Sequence, residues 1–292
     1  MGENEKGPLG PLLELIRPFT LLAPAVGFLS GAVIAGGWQL PISSYVGALA
    51  AVVLNAASNI INQCFDLEID RINKSDRPLP AGTLSLQVAG LLGGLCYVLA
   101  LILAYVAHPR LLAVFGLAAA LTVFYSAPPL RLKRHALSSS IALGFARGCL
   151  LMVGGWGSVA PLWHPAPWFV GMIFGLYVFG ASNTKDFADA RGDRAFGIKT
   201  LPVLYGPRRA AWMVFPFLIL PFLLIPIGIV RGWVPETGSV LILLAVWGGY
   251  VAWLMLKRPE ALTIESNHVS WKHMYFLLIV GQIGFACVYA LV

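Results

Sequence analysis

Residues 42–70 read ISSYVGALAAVVLNAASNIINQCFDLEID. The first part, 42–64, carries no charge and is 23 residues long. As a helix rising 1.5 Å per residue it spans the roughly 30 Å hydrocarbon core of a bilayer. The second part turns abruptly acidic, with Asp66, Glu68 and Asp70 inside five residues. A membrane-length helix that ends in spaced carboxylates is the pattern to be explained.

Working outward, similar apolar runs recur. Nine candidate spans lie near 18–37, 42–64, 85–106, 111–127, 137–160, 167–184, 210–230, 238–256 and 271–291. Hydrophobic residues make up 58% of the chain and charged residues 11%, against about a quarter charged in soluble domains. So little polar surface cannot cover a globule in water. Outer-membrane barrels alternate over segments of about 10 residues, and no such pattern occurs. The fold class is therefore all-α: a polytopic membrane protein with nine transmembrane helices, read as one domain over residues 1–292.

The net charge of +7 does not imply nucleic acid, because no aromatic-basic recognition motif accompanies it. Seventeen Lys and Arg fall on one side of the nine-span scheme, and only Arg110 and Arg231 on the other. Basic residues mark the cytoplasmic side, which places the N-terminus inside, the C-terminus outside, and the long basic loops on the cytoplasmic face of the cell membrane. Residues 1–17 are polar and then amphipathic, without a signal-peptide pattern. Cys64, Cys96, Cys149 and Cys287 form no CxxC pair and read as small hydrophobes. The histidines do not cluster, and no phosphate loop, dinucleotide fingerprint or nucleophile elbow is present.

Topology does not explain the acids, which contribute little to orientation. Seven of the thirteen lie in two same-side loops: Asp66, Glu68, Asp70, Asp76, Asp186, Asp189 and Asp193. Asn62, Asp66 and Asp70 are spaced i, i+4, i+8; Asp186, Asp189 and Asp193 are spaced i, i+3, i+7. Each set would share one helical face. Both loops close on a basic residue and Leu-Pro, four spans apart. This weak echo suggests a pseudo-repeat of helices 1–4 and 5–8 plus helix 9.

Clustered carboxylates disfavour one another's ionisation, so a cation should sit among them. Mg²⁺ suits, since it is typically held by one or two carboxylates plus substrate phosphates. Lys74, Arg77, Lys133, Lys185 and Arg194 could reach a diphosphate. The alternative reading is that Asp and Arg form interfacial salt bridges and helix caps. Arg147 lies inside span five and faces either a polar cavity or, by snorkelling, the interface. Asn55 and Asn59 either extend a polar cavity wall or bond between helices.

At these residues the chain resembles the UbiA superfamily of intramembrane prenyltransferases. The first signature, NxxxDxxxD, is residues 62–70, NQCFDLEID, running into RINKSDRPLPAG at 71–82. The second, DxxxD, is Asp189 to Asp193 inside KDFADARGDRAFGIKTLP at 185–202. Between them YSAPPLRLK, 125–133, is similar to the family's YSxPPxRxK-type loop. The resemblance covers nearly the whole chain. It implies helices around a central cavity, cytoplasmic cap loops, and Mg²⁺-dependent transfer of an isoprenyl group from a prenyl diphosphate to a hydrophobic or aromatic acceptor. It implies Asn62, Asp66, Asp70, Asp189 and Asp193 as catalytic residues, with the four Asp as metal ligands. Asp186 extends the second motif, and Tyr125, Lys133 and Arg147 contact cavity or diphosphate. The motif runs are closest to archaeal ether-lipid, chlorophyll and homogentisate prenyltransferases; a quinone-precursor aromatic stays open as acceptor. The rival class is a cation-coupled transporter using the Asp clusters as its ion site. A phosphoalcohol transferase is disfavoured because its DGxxAR pattern is absent.

Overall fold

The computed structural model describes residues 10–265 and 268–292; Lys6, counted above toward orientation, lies outside them. The elements are α1 (Gly10–Ile16), α2 (Leu22–Gly36), α3 (Ile42–Phe65), α4 (Leu67–Asn73), α5 (Leu86–Ala107), α6 (Leu111–Ser126) and α7 (Ala136–Leu143). They continue with α8 (Leu150–Gly157), α9 (Pro165–Ala181), α10 (Lys185–Ala195), α11 (Leu201–Leu223), α12 (Ile225–Val230), α13 (Leu244–Lys257) and α14 (Val269–Ala290). Short 3-10 turns join several of them.

Among the described residues, eight helices are long and apolar enough to cross a membrane. The other expected span, α6, has 16 residues, about 24 Å of rise and less than the usual crossing length. It stops at Ser126 because Ala127 precedes Pro128, and a residue before proline is steered into extended backbone, as Ala127 is. Two boundaries also move. The sixth helix does not stop near 184 but runs on through Ser182–Thr184 into α10. The seventh begins at Leu201, earlier than expected, and is broken at Gly206, whose φ of 75° lies in the left-handed region.

Packing follows membrane rules, with small residues inside and large ones outside. On α5 the buried positions are Ala89, Gly93, Tyr97, Ala100, Ala104 and Ala107, the face against α3. Leu91, Leu95, Val98, Ile102 and Val106 point outward and are exposed, which is stable only where lipid replaces water. Helices α2 and α8 meet through glycines. A Cβ on Gly155 would collide with the Phe28 carbonyl, and one on Gly31 with the Met152 carbonyl. Bare backbones at this crossing give the close van der Waals approach that drives helix association in lipid.

The fifth span is not a plain α-helix. Between α7 and α8, Gly144–Cys149 form a π-helical turn, a feature that often marks functional sites. Gly144 and Gly148 press on the backbone of α9 around Phe174 and Gly175.

Candidate active site

Three expected loops converge at one end of the bundle. α4 packs on α10. The segment after α6 is tied to the segment after α10 by Lys199 N–H donating to the Arg134 carbonyl (2.8 Å) and Ala136 N–H to the Lys199 carbonyl (3.1 Å).

The first Asp set is not on one uninterrupted helix. α3 ends at Phe65, Asp66 has φ −101° and ψ 6°, and α4 restarts at Leu67. The N–H of Asp66 still donates to the Asn62 carbonyl (3.0 Å) and that of Asp70 to the Asp66 carbonyl (2.7 Å). The break is thus a kink that keeps the three side chains near one another. Asn62 Nδ2 donates to Asp66 Oδ2 (2.8 Å) and to Ser126 Oγ (3.1 Å). The second set lies on α10 as its spacing predicts, with Asp186 and Asp193 buried.

The two Asp helices are joined directly. Asn73 at the end of α4 donates to the Asp189 carbonyl (3.0 Å) and accepts from the Gly192 N–H (2.9 Å). The Lys74 ammonium contacts the Asp189 carboxylate. A Cβ at Gly192 would lie 2.5 Å from the Asn73 amide nitrogen. Gly192→Ala is therefore expected to uncouple α4 from α10 and lower kcat/KM for transfer roughly 10–100-fold, the usual cost of disturbing residues that orient metal ligands. Steady-state kinetics on folded protein checks this; unchanged kinetics would show that the docking contact is dispensable.

Four of the five Asp carboxylates face a cation, and Asp193 instead accepts from Thr200 Oγ1 (3.4 Å). Lys133 contacts Asp66, with Arg131 3.9 Å from the same oxygen; Arg77 bonds Asp70 at 2.6 Å; Lys185 lies 3.8 Å from Asp186 and donates to the Tyr125 hydroxyl at 2.7 Å. The salt-bridge half of the alternative reading is thus present, but no Asp side chain caps a helix among those described. Burial, and then Lys185, push the Lys133 ammonium down to about 7, while Asp193 pulls the other way. The Asp66 carboxylate in contact opposes that shift. Burial also lowers Lys74, with Asp189 acting against it.

Arg147 projects from the π-turn into an internal cavity rather than out to the interface. Its Nη2 donates to Ser58 Oγ (3.1 Å) and Asn59 Oδ1 (3.4 Å), and its buried Nε has no hydrogen-bond partner. The cavity has about 30 Å³ of free room, enough for a water molecule or two. Its polar lining includes Asn55, Ser58, Thr122 and Arg147, and its apolar lining Phe28 and Phe115.

Sequence reasoning counted Arg17 only as an orientation charge. Asn55, Asn59 and Gln63, at i, i+4, i+8 on α3, donate to the carbonyls of Thr20 (3.2 Å), Ile16 (3.0 Å) and Leu15 (2.7 Å). The Thr20 carbonyl needs such a donor because Pro24, four residues on, has no N–H. Pinned on both sides, Arg17 takes left-handed backbone (φ 54°, ψ 71°). Burial first and then Arg77 lower its guanidinium to about 10, while Asp70 and Asp189 act in the opposite direction. It therefore stands with the site's other charges. No single-residue signal in the sequence marks this.

The donors present suit a hard cation: carboxylate oxygens with the Asn62 amide beside them. Among the described residues no three His, Cys, Asp or Glu side chains come close enough to cage an ion alone. Mg²⁺ usually completes its ligands with phosphates and water. Lys74, Arg77 and Lys133 contact Asp189, Asp70 and Asp66, and Lys185 contacts Tyr125.

Membrane-length helices capped by paired Asp helices and a ring of cations define an integral-membrane enzyme acting on an anionic group. Residues 22–287 match the sequence model of the UbiA prenyltransferase family. The digeranylgeranylglyceryl phosphate synthase of Methanopyrus kandleri is 32% identical over 252 residues, covering 82% of this chain and 90% of that protein. The bacteriochlorophyll synthase 34 kDa chain of Chloroflexus aurantiacus is 27% identical over 286 residues, 94% of this chain and 89% of that one. A UbiA homologue from Archaeoglobus fulgidus, solved bound to GPP and Mg²⁺, shares the fold with a TM-score of 0.76 at 21% identity, covering 97% of this chain and 100% of that one. The chain belongs to the UbiA prenyltransferase family, and it is an enzyme, which decides against the transporter reading.

Proposed function

We propose that this protein transfers an isoprenyl group from a prenyl diphosphate to a membrane-borne acceptor, with Mg²⁺ as cofactor. The observation that carries the proposal is the docking of α4 on α10, where Lys74 and Asn73 following the first Asp set contact Asp189 of the second. Asp66, Asp70, Asp189 and Asp193, with Asn62, are assigned to the ion, and Asp186 supports the second set. Lys74, Arg77, Lys133, Lys185, Tyr125 and Arg147 are assigned to the substrate. Mg²⁺, when bound, neutralises charge developing on the diphosphate.

The residues divide the remaining work. Lys133, Arg77 and Lys74, whose partners Asp66, Asp70 and Asp189 would hold the ion, and Lys185, positioned by Tyr125, would bind the departing diphosphate oxygens. The bond from C1 to the bridging oxygen breaks and its electron pair leaves with the diphosphate. The acceptor's nucleophilic atom bonds to C1 and loses its proton. The apolar cavity wall keeps water from the allylic cation between these events.

The acceptor favoured is a glycerophosphate-type lipid, supported by the Methanopyrus kandleri relative. A bacteriochlorophyll-type acceptor is the second reading, supported by the Chloroflexus aurantiacus relative over 94% of this chain. The basic-residue distribution supports an active site near the cytoplasmic face, with the N-terminus inside and the C-terminus opposite. Purified protein with Mg²⁺, prenyl diphosphates of several lengths and both acceptor types is expected to release pyrophosphate and form one prenylated product, identified by mass. No product with any donor and acceptor would overturn the proposal.

A further inference from the structure

The run that begins with α11 is longer than the bilayer it crosses. From Leu201 to Val230 it has 30 residues, about 45 Å of helix, against a hydrocarbon core of about 30 Å. Residues 210–230 carry no charge and supply about 31 Å by themselves. Arg208 and Arg209 stand at one end of them and Arg231 at the other. The surplus, 201–209, therefore lies at headgroup level, at the end of the bundle that carries α10. It is broken from the rest at Gly206 (φ 75°, ψ 164°), so 201–205 departs from the direction of the crossing helix. Leu204 and Tyr205 on this piece are 50% and 47% exposed. Past the break, Arg208 and Arg209 stand four residues before Trp212 and Met213 and share their helix faces. Trp212 and Met213 are themselves exposed, so the two guanidiniums emerge on the lipid side of α11.

We propose that Lys199, Arg208 and Arg209, with Leu204 and Tyr205 between them, form a binding surface for the headgroups of anionic lipids. From Arg194 to Arg209 the chain has no acidic residue. Lys199, Arg208 and Arg209 are exposed, and none of them forms an ion pair among the described residues. Arg134 adds a fourth exposed cation, since its carbonyl accepts from the Lys199 N–H. Lipid phosphates complement this charge, and the acyl boundary beneath them takes the Leu204 and Tyr205 side chains. A topological signal asks only for basic residues in the loop. It does not ask for cations on the lipid side of a crossing helix, or for exposed apolar side chains among them.

The surface is tied to the second Asp set. Ile198 N–H donates to the Asp193 carbonyl (2.8 Å), and Thr200 Oγ1 lies 3.4 Å from Asp193 Oδ2. Lys199 stands between these two buried residues and is held at the surface by them. A headgroup that holds Lys199 therefore also steadies the backbone around Asp193. Transfer should rise with the anionic fraction of the membrane, a consequence that rests on the prenyl-transfer reading above.

The test needs no turnover. Full-length protein is purified in mixed micelles of phosphatidylglycerol and phosphatidylcholine, and the lipids it retains are counted by native mass spectrometry. Each cation at a charged lipid surface contributes about fivefold to the preference for anionic headgroups. The wild type should therefore retain phosphatidylglycerol at least about tenfold over phosphatidylcholine, less so as salt is raised. The triple variant Lys199→Gln, Arg208→Gln, Arg209→Gln should lose that preference. Arg71→Gln, which removes an exposed cation paired with Glu68, should keep it. Phosphatidylglycerol should also raise the unfolding temperature of the wild type and not that of the triple variant. If the triple variant does not fold, Arg208→Gln and Arg209→Gln singly carry the comparison, each with a loss of about fivefold.

Equal retention of the two lipids, or variants with the wild-type preference, would overturn the proposal and leave these cations a topological role alone. Stabilisation by glycerol phosphate equal to that by phosphatidylglycerol would also overturn it, since the surface would then take a free phosphate without a lipid. In vesicles, wild-type kcat/KM should climb with the phosphatidylglycerol fraction while that of the triple variant stays flat. Absence of product with every donor, while the lipid preference persists, would instead overturn the transfer reading and leave the lipid surface standing.

Discussion

Asp66→Ala is expected to abolish transfer while the protein stays folded. Asp66 is where the structure concentrates its demands. It receives Asn62, contacts Lys133, lies near Arg131, and sits at the kink that joins α3 to α4. Losing an ion ligand there removes charge stabilisation of roughly 4 kcal/mol, or about 10³ in rate. Removing one partner of a buried ion pair usually costs about 3–5 kcal/mol of stability. Here that cost is reduced, because burial and Lys185 both lower the Lys133 ammonium, which gives up its proton more readily than an exposed lysine once Asp66 is gone. The measurement pairs turnover per folded molecule with the unfolding temperature, and includes the double variant Asp66→Ala, Lys133→Met as an uncharged reference. Retained turnover in folded single variant would remove the first Asp set from the ion site.

Chelation should inactivate the enzyme without unfolding it. Structural metal sites denature when stripped because their ligands have no other partner. In this protein Asp66, Asp70 and Asp189 each have a Lys or Arg in place. EDTA is therefore expected to take transfer to background with little change in unfolding temperature, and added Mg²⁺ to restore it. Stabilisation should need ion and prenyl diphosphate together, reaching about 2.7 kcal/mol at a hundredfold excess over Kd. If Mg²⁺ alone stabilised the protein as much as the pair, the ion would have a preformed cage. The assignment of its remaining ligands to the diphosphate would then fail.

The parts of the site legible in the sequence share one property: they are local. Asp189 and Asp193 fall on one face of α10 because helical periodicity depends only on spacing. The first set deviates, since Asp66 takes non-helical backbone at the kink, yet its members stay within hydrogen-bonding reach. Arg147 was recognisable because a charge inside an apolar run is costly wherever it points. Asn73 and Gly192 were not recognisable. Neither is unusual in its own segment, and their meaning arises from a contact across 119 residues.

Composition and hydropathy alone determined that this is a helical membrane protein, and the two Asp motifs with the loop between them sufficed for the family resemblance. Bilayer length, helical period and the cost of clustered charge act on neighbouring residues, so a linear sequence displays them. Only the tertiary structure decided which cation faces which carboxylate and that Arg17 is bent back toward the Asp helices by Asn55, Asn59 and Gln63. It also decided that the run broken at Asp66 still docks on α10. Those features come from helices that close on one another after each has formed, and their partners are set by packing rather than by any pattern within one segment.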